Sequence, residues 1–156
     1  AGAKKRELSA KLPADLALPE GFGGARVFAP GIVVVQGLRH GRKRDEADPA
    51  MEGLGNHLGG RGDLAGFPLM VVADDAEFTA ASWENFLWVT FTRADPATDT
   101  YGAGAATHCK HWGCRAPMIL DARLKSHHAP ALEDDPETER KVDELGRKGG
   151  PLEGIV

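Results

Sequence analysis

Two short, uninterrupted apolar runs constrain this chain more than any other feature. Ile32-Val33-Val34-Val35 and Leu69-Met70-Val71-Val72-Ala73 have no polar residue at alternate positions. A strand with one face in water alternates apolar and polar residues, whereas a strand covered on both faces does not. Both runs therefore read as interior strands of a largely parallel sheet with helices on either side. Pro30-Gly31 marks a bend before the first. "PMILDAR", from residue 117, is a third strand candidate.

Helical patterns fall between and after these strands. Residues 42–58 are polar and then apolar at Met51, Leu54 and Leu58, a helical spacing that Gly53 and Gly55 weaken. Ser82 caps a helix of "WENFLWVTFTR", in which Trp83, Phe86, Leu87, Thr90 and Phe91 form one stripe at i, i+3, i+4 spacing, with Trp83, Trp88 and Phe91 read as core or interface residues. Asp95-Pro96 ends it. A last helix starts at Asp135, with Pro136 in its first turn, and stops near Gly146. Its acidic start (Glu137, Glu139) and basic end (Arg147, Lys148) suit the helix dipole. The β-α-β-α-β-α order predicts an α/β fold, a three-layer domain with a short, largely parallel sheet covered by helices. Residues 1–23 read as a loosely structured N-terminal arm, of a kind that drapes over another surface. Its leucines at 8, 12, 16 and 18 are interrupted by Pro13 and Pro19.

The charge balance limits the function. A net charge of −4 argues against a nucleic-acid partner. The one basic run, from Arg39 through His40 to Arg44, is followed at once by Asp45, Glu46 and Asp48 and reads as a solvated loop. No apolar run approaches the ~20 residues that span a bilayer. Two cysteines make no disulfide framework, which makes a reducing cytoplasm the expected location. The first residue is Ala1, consistent with a processed chain or with one piece of a longer protein.

The chemistry-bearing residues concentrate in "THCKHWGCRAPMILDARLKSHHAP", residues 107–130, which holds four of six histidines and both cysteines. As a metal site it offers His111, Cys114, His127 and His128 as ligands, with His108 and Cys109 alongside. As a catalytic site it offers a cysteine beside a histidine, without the local signature of a cysteine hydrolase. In the third reading the cysteines are small buried hydrophobes and the histidines bond to backbone or to carboxylates such as Asp121. Asp74 and Asp75 end the second strand, the edge at which α/β sheets gather functional groups.

"NFLWVTFTRADPATDTYG", "KHWGC" and "ILDARLKSHHAP" together resemble the C-terminal domain of the UbiD-type decarboxylases and carboxylases. The likeness is to the branch acting on aromatic substrates, of the phenylphosphate carboxylase type, and spans about residues 24–156. It implies a non-catalytic domain or small subunit that serves assembly and active-site closure. Prenylated flavin mononucleotide and a divalent metal ion would sit in a larger catalytic subunit or domain, within a hetero- or homo-oligomer. No cofactor is expected on this chain itself. Ser126 stands where the branch has proline, which loosens the backbone before His127 and His128. Arg93, Asp95, Trp112, Asp121 and Arg123 are then structural or interface residues, with opposite charges bracing the sheet edge. His127, His128 and Pro130 would form a loop facing the partner.

Overall fold

The computed structural model describes residues 7–40, 48–129 and 135–154. The five strands are β1 (Phe22–Ala29), β2 (Ile32–Gly37), β3 (Leu69–Ala73), β4 (Thr100–His108) and β5 (His111–Asp121). The α-helices are α1 (Pro49–Gly59), α2 (Ala76–Ala80), α3 (Trp83–Arg93) and α4 (Pro136–Gly146). One sheet runs in the order β1-β2-β3-β5-β4. β2, β3 and β5 are parallel, and β1 and β4 close the edges antiparallel.

The apolar runs occupy the interior positions for which they are suited. In register, Val33 lies beside Met70 and Met70 beside Ile119. Val33, Val35, Met70, Val72 and Ile119 point to one face and pack with Met51, Leu54 and Leu58 of α1. Val34, Val71 and Ala73 point to the other and pack with Ala76, Phe86 and Val89 of α2 and α3. Burial on both faces is what the missing alternation required.

Three local features depart from the sequence-based expectations. First, α1 lies flush on β4. A Cβ at Gly55 would come within 2.8 Å of the Gly102 carbonyl oxygen, and one at Gly59 within 2.8 Å of the Gly104 amide nitrogen. Glycines that lower helix propensity are here what lets helix and strand backbones touch. Second, α3 divides the stripe between core and solvent. Phe86, Val89 and Thr90 are buried, whereas Trp83, Leu87, Trp88 and Phe91 are exposed. Third, the arm lies on the domain's own core. Leu12, Leu16 and Leu18 pack against the α1-side cluster, and His57 Nε2 lies 2.9 Å from the Ala17 carbonyl. The basic stretch 41–47, which includes the start of the helix read over 42–58, and Pro130 lie outside the described residues.

Candidate functional site

The carboxyl ends of the parallel strands hold a buried charged cluster. In register, Asp121 follows Val35 and Val72 on the α1 side of the sheet. Asp48 meets it there as the N-cap of α1: its Oδ1 accepts the Ala50 N–H at 2.9 Å, and Pro49 occupies the first helical position. Arg123, with its side chain 2% exposed, joins the two carboxylates. It donates to both oxygens of Asp121, from Nε at 2.8 Å and Nη2 at 2.7 Å. It also donates to Asp48 Oδ2 at 2.5 Å and, through Nη1, to the Leu38 carbonyl at 2.9 Å. Gly37 makes room for this guanidinium stem, since a Cβ there would lie 2.9 Å from Arg123 Cδ and 2.6 Å from Val72 Cγ1.

Lys125 is buried beside it. Its ammonium donates to the carbonyls of Asp121, Arg93 and Arg123 at 2.8, 3.0 and 3.2 Å and pairs with Asp99 Oδ2 at 3.1 Å. Asp99 also accepts the Asp95 N–H at 2.7 Å. A third pair stands nearer the surface. Asp74 Oδ2 accepts Arg93 Nη1 at 3.1 Å and the Leu124 N–H at 2.7 Å, and Arg93 lies over the Trp88 ring at 5.3 Å. Asp75 caps α2 by accepting the Phe78 N–H.

The electrostatics describe a brace. Burial works to raise the Asp48 carboxyl, but hydrogen bonds from Arg123 and Ala50, with the Arg123 charge, bring it below its ordinary value. Burial opposes the Arg123 charge, yet Asp121 and Asp48 raise its pKa. Burial lowers His40, and the nearby Arg123 and Lys125 charges add to this against the pull of Asp121 and Asp48. Burial also lowers His128, aided by Lys125 and His127. Carboxylates held this firmly by cations are poor proton shuttles.

The other sequence-derived candidates separate. The four ligands of the metal reading are not brought together. His111 opens β5 at the hairpin tip, opposite His108, whereas His127 and His128 follow its far end. Eleven residues of strand at ~3.3 Å each put roughly 33 Å between those ends. Cys114 is partly buried, and burial raises its thiol pKa, which opposes a thiolate. Trp112 is half exposed on the hairpin. Among the described residues, the one group with three clustered ligand atoms is His40, Asp48 and Asp121. Arg123 already spans both carboxylates, so a metal ion there would face a guanidinium and does not fit.

Sequence reasoning passed over Asp48, Asp99 and His40 as members of the cluster, and the ion-pair role of Lys125. Asp48-Pro49 carried a usable signal, an N-cap followed by proline. The burial of Lys125 left no trace in local pattern, because Asp99 and the Arg93 carbonyl reach it through the fold.

Fold and cluster together define an α/β domain with helices on both faces of a mixed sheet, braced at the strand ends by buried ion pairs. No family model matches the chain. It is homologous to part of a 4-hydroxybenzoate decarboxylase subunit of Chlamydia pneumoniae, with 31% identity over 137 residues that cover 81% of this chain and 21% of that protein. It is also 37% identical over 79 residues to an uncharacterized protein of Chlamydia muridarum, covering 51% of this chain and 14% of the relative. The chain thus spans about a fifth or less of these relatives' lengths. Against the open form of Sedimentibacter hydroxybenzoicus vanillic acid decarboxylase the TM-score is 0.42 at 17% identity, over 74% of this chain and 27% of that one. That is a loose likeness.

Proposed function

We propose that this chain is the C-terminal α/β domain, or a separate subunit of that kind, of a UbiD-type aromatic carboxylase or decarboxylase. It works in the cytoplasm in assembly and active-site closure and is not catalytic alone. The observation that carries this reading is the similarity of four-fifths of the chain to about a fifth of a decarboxylase subunit. Geometry supports the non-catalytic part, since the charges of the "LDARLK" stretch are consumed in bracing strand ends.

Prenylated flavin mononucleotide and its divalent ion belong, in this reading, to the larger catalytic partner. The helix caps and the charged cluster of the described residues support that placement. A flavin phosphate favours a helix N-terminus rich in free N–H groups, but α1, α2 and α4 are capped by Asp48, Asp75 and Asp135. α3 carries Glu84 in its first turn. The metal-like group around His40 is closed by Arg123.

Exposed apolar side chains suit the assembly role. Trp83, Leu87, Trp88 and Phe91 leave one side of α3 apolar in solvent, a kind of surface that marks contact sites. The test is reconstitution. The catalytic part made without this domain should fail to assemble or to exchange CO2 with an aromatic substrate, and adding the chain should restore both. Full activity without the chain would overturn the reading.

A further inference from the structure

The paths of the chain after β2 and β3 create a crevice that the proposed function does not use. The two strands are parallel neighbours. After β2 the chain crosses to α1 on one face of the sheet, and after β3 it crosses to α2 and α3 on the other. Where successive connections part in this way, α/β sheets open a cleft outside the carboxyl ends of the strands. A cavity of about 460 Å³ lies at that point, between Leu38 and Arg39 after β2, Asp74 after β3, Arg93 at the end of α3 and Leu124 after β5. That volume lies within the range of small-ligand sites.

The lining has a definite chemistry. The lining holds two arginines and one carboxylate, and Asp74 is committed to Arg93 and to the Leu124 N–H. Arg93 is held in place by that pair and by the Trp88 ring beneath it. Arg39 has no ion-pair or hydrogen-bond partner among the described residues, although it stands at the same rim. Leu38, Leu124 and Gly37 supply the apolar part of the wall, and Gln36 adds a neutral polar side chain. Leu38 is 66% exposed and lines the cavity. Two guanidinium groups and two leucine side chains in one lining suit a small anion with an apolar body.

We propose that this crevice binds a small organic monocarboxylate, its carboxylate held by Arg39 and Arg93 and its apolar body against Leu38 and Leu124. Such binding does not depend on the decarboxylase reading, since topology and lining alone create the crevice. It would serve a binding or regulatory role, because no nucleophile or free base lines the cavity among the described residues.

The test is calorimetric titration of the full chain, in whatever larger polypeptide or complex carries it, with benzoate, acetate and inorganic phosphate. Benzoate should saturate a site, with acetate at least about tenfold weaker for want of an apolar body. Arg39→Gln should weaken benzoate at least about tenfold and leave the thermal midpoint unchanged, because Arg39 has no partner among the described residues to lose. Leu38→Ser should weaken benzoate while sparing acetate. The quantity read is the titration step lost in Arg39→Gln, so a site elsewhere in a larger assembly does not enter. The same benzoate affinity in wild type and Arg39→Gln would overturn the proposal, as would tighter binding of phosphate than of benzoate at this step.

Discussion

Arg123→Met removes the centre of the charged brace while keeping an unbranched apolar stem. The guanidinium neutralises two carboxylates, Asp121 with its side chain 1% exposed and Asp48 with 9%. Without it both remain buried. Removing one partner of a buried ion pair costs about 3–5 kcal/mol. Two orphaned carboxylates push toward the upper end, and Lys125, 4.0 Å from Asp121 Oδ1, pulls back toward the lower. The expected loss is therefore about 4 kcal/mol, a large fraction of the roughly 5–15 kcal/mol that holds a domain together. For a chain of this size it lowers the melting temperature by about 10 °C. Urea unfolding followed by circular dichroism measures it. The double variant Asp121→Asn/Arg123→Met should lose less than Arg123→Met alone, because one uncompensated charge has gone. The loss should also shrink below about pH 4, where carboxylates protonate. A loss under about 1 kcal/mol, or a double variant worse than the single, would refute the reasoning.

Other outcomes follow from the same geometry. Gly37→Ala places a methyl 2.6 Å from Val72 Cγ1 and 2.9 Å from Arg123 Cδ, so it should cost about 1–3 kcal/mol in the same urea assay. Because His40 and His128 are lowered when folded, mainly by burial, the unfolded chain takes up protons first as pH falls through the ordinary 6.5. Stability should therefore decline from about pH 7 toward pH 5, and a His40→Asn/His128→Asn variant should flatten that slope. Phe91, 72% exposed on α3, should tolerate Phe91→Glu within about 0.5 kcal/mol. The same change should reduce self-association or partner binding seen by light scattering.

How much was legible from sequence depended on whether a signal was local. The three-layer α/β fold was readable, because Ile32–Val35 and Leu69–Ala73 lack alternation and only a doubly covered strand tolerates that. Caps were readable too: Ser82 and Asp135 begin helices as their neighbours suggested. The β4–β5 hairpin was not. Gly102, Gly104 and three alanines give β4 little strand propensity. Its turn uses Cys109 and Lys110 at positive φ, where Asn-Gly would have announced it. That hairpin then separates residues that spacing alone had grouped as metal ligands. The α3 stripe stayed open between core and interface for a related reason. Trp83 and Phe91 are apolar, and nothing in periodicity distinguishes a core-facing stripe from one reserved for another surface. The brace was half visible, in Asp121 and Arg123 two apart, while Asp48 joins from 75 residues away.

The central claim is that this chain completes an enzyme whose chemistry lies in a larger partner. Gentle capture of the chain from its native source, followed by intact mass and a visible absorption spectrum, tests it most directly. The account predicts a larger polypeptide, attached covalently or not, that carries a flavin chromophore. Recovery of the chain alone, folded and with stoichiometric metal, would contradict it.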